Sequence, residues 1–86
     1  MNYTIQIEKS ALKQLSQLPL IIVEAIDIKI SSLQTNPRPP GCKKLKGRDG
    51  WRVRVGDYRV IYKIDDNVLI ILVIDIGHRK NIYNKK

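Results

Sequence analysis

The residues best suited to chemistry in this chain are arginines set at alternate positions of one short segment. In Trp51-Arg52-Val53-Arg54-Val55 an extended backbone turns the two valines to one side and the two arginines to the other. Each guanidinium is a planar fork of donors that matches two oxygens of a phosphate, so such a pair is built to hold and stabilise an anion. Arg59 follows directly after Gly56-Asp57-Tyr58, and His78-Arg79-Lys80 adds basic side chains near the C-terminus. His78 is the one histidine, the side chain whose ordinary pKa lets it exchange a proton near neutrality. A pair of catalytic histidines within a monomer is thereby excluded. Trp51, Tyr58, Tyr62 and Tyr83 are interleaved with these cations. Trp51, Tyr58 and Tyr62 read as packing residues, but the combination of basic and aromatic side chains favours an anionic polymer with stackable bases. The single Cys42 excludes an internal disulfide framework and a multi-cysteine zinc site. Asp49, Asp57, Asp65, Asp66 and Asp75 read as turn and strand-end residues, so no metal site is assigned.

The elements that must carry these side chains fit into one domain. The chain has 86 residues with 16 basic and 8 acidic side chains, a net charge of +8, and a length that suits a single domain. Residues 1–40 carry four basic and three acidic residues, while 41–86 carry twelve against five, so nearly all the excess lies in the second half. No basic-then-apolar leader opens the sequence, and the longest apolar run, Val68 to Ile74, falls far short of the roughly 20 residues of a membrane span. The expected setting is a reducing one, the cytoplasm.

Tyr3 to Ile7 alternates like a strand. From Lys9 the spacing becomes helical, with Ala11, Leu12, Leu15 and Leu18 on one face, and Pro19 separates a second helix with a stripe of Ile22, Val23, Ile26, Ile30 and Leu33. Glu8, Lys9 or Ser10 could open the first helix, and Asn36-Pro37 stops the second. A stiff Pro37–Gly41 connector leads to a short edge strand in 43–47, a turn at Arg48-Asp49-Gly50, and the arginine strand. Gly56-Asp57 has the make-up of a two-residue hairpin turn, Tyr58 to Ile64 returns, Asp65-Asp66-Asn67 turns again, and Val68 to Ile76 reads as a buried strand that Gly77 breaks. The expected fold is α+β, of order β-α-α-β-β-β, with a helical hairpin packed on a small antiparallel sheet and the arginines on the opposite face.

Three blocks, Lys44-Leu45-Lys46-Gly47, Gly50-Trp51-Arg52-Val53-Arg54-Val55-Gly56-Asp57-Tyr58-Arg59-Val60-Ile61-Tyr62 and Ile76-Gly77-His78-Arg79-Lys80-Asn81-Ile82-Tyr83, together resemble the RelE branch of the RelE/ParE toxin superfamily. The resemblance covers essentially the whole chain, residues 1–86. It implies the toxin of a type II toxin–antitoxin pair that cleaves mRNA at the ribosomal A site, without a cofactor, beside the 16S rRNA decoding region. It also implies a small acidic antitoxin of RelB type, through which the complex would bind operator DNA. Metal-free cleavage requires removing the ribose 2′-OH proton, stabilising the phosphorane and protonating the 5′ oxygen. By resemblance, Arg59 and Arg79 serve the scissile phosphate, Arg54 the phosphate or the 2′ oxygen, and Tyr83 stacks on a base or orients the nucleophile. Lys44, Lys46 and Arg52 correspond to RNA-binding positions.

The best-known members have lysines where this chain has Arg52 and Arg54. An arginine, with a pKa above about 12, is a poor proton acceptor, which makes His78 the titrating candidate. Two alternatives keep the same elements: a ParE-like toxin acting on DNA gyrase without cutting RNA, and a non-catalytic RNA-binding module.

Overall fold

A computed structural model describes residues 2–78 of the chain. The elements run β1 (Thr4–Ile7), α1 (Lys9–Ser16), α2 (Leu20–Ser32), β2 (Lys43–Lys44), β3 (Trp51–Val55), β4 (Tyr58–Asp65) and β5 (Ile70–His78). The α+β class agrees with the sequence reading, and with the two-residue β2 counted, four strands follow the helices. The five strands form one sheet in the order β1-β5-β4-β3-β2, so β4 is central and the first and last strands lie side by side.

The β3–β4–β5 meander is the body of the sheet. Gly56, with φ of 60°, supplies the left-handed residue that a two-residue hairpin loop needs, and Val55 pairs with Tyr58 across it. The β4–β5 turn is held by Asp65, whose Oδ1 accepts the backbone N–H of Asn67 at 3.0 Å. That turn is longer than its sequence indicates and β5 begins at Ile70, not Val68. Nor does Gly77 break the strand: it pairs with Arg59, and His78 pairs with Tyr58. The sheet is also mixed, because β1 runs parallel to β5, with Thr4 opposite Ile70 and Ile7 opposite Val73. A strand entering through a hairpin must be antiparallel, but β1 reaches the meander through the helical connection and is free to lie parallel.

Both helices cover one face of the sheet. Ala11 and Leu15 of α1 and Ile26 and Ile30 of α2, with Leu33 just beyond, are buried against Val53, Val60, Tyr62, Ile71, Val73 and Ile76. Burying each large aliphatic side chain contributes about 1.5–3 kcal/mol. Ile22 and Val23 pack at the margin of this core as the stripe requires. Leu12, placed with the core by its spacing, is about half exposed, since it lies roughly 100° around the helix from Ala11. Pro19 is the N-cap of α2 and Glu8 that of α1. The outer side of α2 is apolar as well: Leu20, Ile21 and Ile28 are 74 %, 74 % and 73 % exposed.

The connector between α2 and β2 is pinned to the sheet. The Tyr62 hydroxyl donates to the Pro37 carbonyl at 2.7 Å, and burial pushes that phenol far above its ordinary pKa. Arg38 lies over the Trp51 ring at 5.2 Å and pairs with Asp66 at 2.9 Å, which also accepts the Tyr3 hydroxyl at 2.6 Å. One carboxylate thus ties the N-terminus, the connector and the β4–β5 turn together.

Candidate functional site

Strand alternation divides the side chains of the meander cleanly. Val53 on β3 and Val60 and Tyr62 on β4 face the helices. Arg52 and Arg54 therefore point to the other face, as the sequence spacing requires, and so do Arg59 and Ile61. The register makes Arg54 the direct partner of Arg59 and Arg52 the direct partner of Ile61. The three arginines thus form a cluster on the face that the helices leave open. Arg54 is exposed, whereas Arg59, on the central strand, is 2 % exposed. Gly77, which carries no side chain, is the neighbour of Arg59 on the β5 side.

Register also sorts the remaining candidates. Lys43 pairs with Arg52 and Lys44 with Trp51, so the open-face lysine of β2 is Lys43. Lys44 turns to the helix side, where its ammonium lies 6.0 Å from the Trp51 ring. Lys44, a candidate RNA contact from the sequence, is exposed there and lies on the side of the sheet away from Arg52, Arg54 and Arg59. Nothing in the sequence separates two adjacent lysines; only the pairing of a two-residue strand does. Lys46 is exposed in the loop after β2. Gly50 closes that loop, and a Cβ there would meet Leu45 at 3.1 Å and the Tyr62 carbonyl at 3.3 Å.

His78 is not brought to Arg52, Arg54 or Arg59. It pairs with Tyr58, and the two rings meet edge to face at 5.3 Å. Tyr58 packs against the core, so the imidazole lies on the helix-covered side, with strand alternation placing it opposite to Arg54 and Arg59. Arg79 and Tyr83 lie outside the described residues.

One residue dismissed from the sequence does reach the open face. The β4–β5 register skips a residue: Tyr62 pairs with Val73, but Ile61 pairs with Asp75. The extra residue, Ile74, is a β-bulge, and it reverses the alternation of β5. Ile71, Val73 and Ile76 are all core, which a regular strand cannot achieve. Asp75 is turned instead to the side of Ile61, Arg52 and Arg59. The bulged edge is satisfied by α1, where the Gln14 side-chain oxygen accepts the Ile76 N–H at 3.0 Å.

The open face changes character toward its other end. A cleft of about 550 Å³ there is lined by Gln6, Asp49, Lys63, Asp65, Asp66 and Leu72 among others. Its carboxylates make it a poor receptor for phosphate, so the arginine end is the candidate site. Among the described residues no group of three or more His, Cys, Asp or Glu side chains is placed to hold a metal ion, and no helix is long and apolar enough to cross a membrane.

What the geometry provides is a basic, helix-free sheet face, and comparison with known proteins shows where it belongs. Residues 5–83 match the family model described as the ParE toxin of type II toxin–antitoxin systems, parDE. A protein of Methanocaldococcus jannaschii named putative toxin RelE1 is 39 % identical over 77 residues, covering 83 % of this chain and 86 % of the relative. Toxin RelG of Mycobacterium tuberculosis is 28 % identical over 87 residues, covering 99 % and 100 %. Among solved structures, the archaeal RelE–RelB complex from Pyrococcus horikoshii superposes with a TM-score of 0.82 at 30 % identity, covering 92 % of this chain and 97 % of that one. The chain belongs to the RelE/ParE family of toxins from type II toxin–antitoxin systems.

Proposed function

We propose that this toxin is a cytoplasmic, ribosome-dependent endoribonuclease that cleaves mRNA in the A site by metal-free attack of a ribose 2′-OH on the adjacent phosphate. The observation that carries the reading is the in-register pair Arg54 and Arg59 on the sheet face opposite the helices, with Arg52 beside them. Like charges placed directly opposite on neighbouring strands disfavour the fold. A cluster of guanidinium groups on one face is the arrangement that receives phosphate oxygens. In this reading Arg54 and Arg52, the more accessible pair, take the RNA phosphates first. Arg59, beneath them, supplies fixed positive charge to the phosphorane, with Arg79 on the same phosphate and Tyr83 stacked on a base. Preorganised donors of this kind are worth about 10²–10³ in rate each. Lys46 extends the contact toward the rRNA of the decoding region.

A small acidic antitoxin would silence the site. Support comes from the +8 charge of the chain and from the similar structures that are RelE–RelB complexes. Operator DNA would be bound through that partner.

The name of the matching family model favours one competitor, a ParE-like poison of DNA gyrase. A translation extract programmed with a defined mRNA separates the two. Cuts confined to A-site codons establish the nuclease, while intact mRNA together with arrested gyrase establishes the competitor.

A further inference from the structure

A 2′-OH nucleophile needs a proton acceptor, and neither an arginine nor a histidine on the far face of the sheet supplies one. Five aspartates lie in the second half of the chain. Asp65 is engaged by the N–H groups of Asn67 and Val68, and Asp66 by Arg38 and Tyr3. Asp49 lies in the loop before β3, at the cleft end of the open face, and Asp57 sits in the β3–β4 hairpin turn. Asp75 alone is carried on a strand at the arginine end of the open face, and it stands there because of the Ile74 bulge. Without the extra residue, the alternation that buries Ile71 and Val73 would turn position 75 into the core.

Its surroundings suit a reacting group. Arg59 pairs with Gly77, and Asp75 is two residues before Gly77 on the same strand. It is therefore the diagonal neighbour of Arg59 on one face, at about 7–8 Å between Cα atoms, a distance that long side chains span. The glycine between them adds no side chain to block the path. Asp75 is half-buried, and among the described residues no hydrogen bond or ion pair engages its carboxylate.

We infer that Asp75 is the general base of this toxin, turned onto the arginine face by the Ile74 bulge to take the 2′-OH proton of the RNA. The inference rests on the nuclease reading above. In the step it serves, the 2′-O–H proton passes to an Asp75 oxygen as the 2′ oxygen bonds to phosphorus. The bond from phosphorus to the 5′ oxygen breaks, leaving a 2′,3′-cyclic phosphate. The departing 5′ oxygen takes a proton from solvent water, and Asp75 later returns its own to solvent, so no net water is consumed.

The test compares purified wild-type toxin with Asp75→Asn and Asp75→Glu in single-turnover cleavage on ribosomes holding a defined mRNA, with ribosome binding and thermal melting measured in parallel. General-base loss typically costs about 10²–10⁴ in rate. Asp75→Asn is expected to slow the cleavage step at least about 100-fold, with binding unchanged or tighter because a negative charge near phosphate is gone. Asp75→Glu, which keeps the carboxylate on a longer arm, is expected to retain a measurable part of the rate. Asp27→Asn, on the solvent side of α2, serves as the control. If the amide variant melts early, Asp75→Ser replaces it in the same comparison. Cleavage by the neutral variant at the wild-type rate, equal impairment of the neutral and Glu variants, or a rate loss matched by lost binding would overturn the assignment while leaving the nuclease reading intact. A wild-type toxin that binds ribosomes and cuts nothing overturns both.

Discussion

Arg54 and Arg59 face each other across β3 and β4, one in solvent and the other almost wholly buried. Such a pair costs stability in the free protein, of the order of a few tenths of a kcal/mol for an opposed like-charge pair, and favours any anion that comes between them. Arg54→Ala should therefore separate the two effects. Its melting temperature is expected to equal or slightly exceed that of wild type, while cleavage on ribosomes falls about 10²–10³-fold. Loss of folding in step with loss of activity would show that Arg54 is structural.

The adjacent lysines of β2 make a paired test of the register. Lys43 shares the open face with Arg52, and Lys44 sits against Trp51 on the other side. Lys43→Ala should weaken ribosome binding and reduce the salt slope by roughly one counterion. Lys44→Ala should leave both nearly unchanged. Binding measured across a salt series distinguishes them, and equal losses would contradict the proposed face.

His78 packs edge to face with Tyr58, away from Arg52, Arg54 and Arg59. His78→Gln is accordingly expected to keep the single-turnover rate within a few-fold of wild type, with a modest fall in melting temperature from the lost ring contact, which is worth about 0.5–1.5 kcal/mol. A drop of 100-fold in a stable protein would return the proton transfer to the imidazole.

The Asp66 clamp predicts a pH dependence of stability. Its carboxyl is held below the ordinary carboxylate pKa, first by the hydrogen bond from Arg38 and then by that from Tyr3. A depressed folded-state pKa stabilises the fold above the unfolded pKa of about 3.9, and that contribution disappears as pH falls through the lower folded value. Asp66→Asn should thus melt below wild type at pH 6, and the gap should close progressively below about pH 4. Thermal melts across pH 2–7 read it directly, and a gap independent of pH would mean that packing, not charge, fixes the turn.

Much of this architecture is written in local patterns. The alternation of Arg52, Val53, Arg54 and Val55 announces which side each takes, Gly56-Asp57 announces the hairpin, and the Ile22–Leu33 stripe announces the buried side of α2. These are signals within one element, where a fixed period decides the outcome. The parts of the site that could not be read depend on two elements at once. Lys43 and Lys44 are distinguishable only through the strand they pair with. Asp75 is misplaced by any reading that assumes a regular period, because one extra residue, Ile74, reverses the phase of everything after it. The face of His78 is likewise a matter of two elements, since it follows from the pairing with Tyr58 across the sheet.

The parallel pairing of β1 with β5 also orders events in time. Thr4 finds its partner in Ile70, so the first strand made waits for the last strand before it can join the sheet. Adjacent strands of the meander close short loops and can pair early, whereas β1 must close nearly the length of the chain, with the larger entropy cost that such contacts carry. A growing chain lacking β5 has no edge to receive Thr4–Ile7 and no bulge to present Asp75. A truncated product would thus carry Arg52, Arg54 and Arg59 without the strand that turns Asp75 toward them.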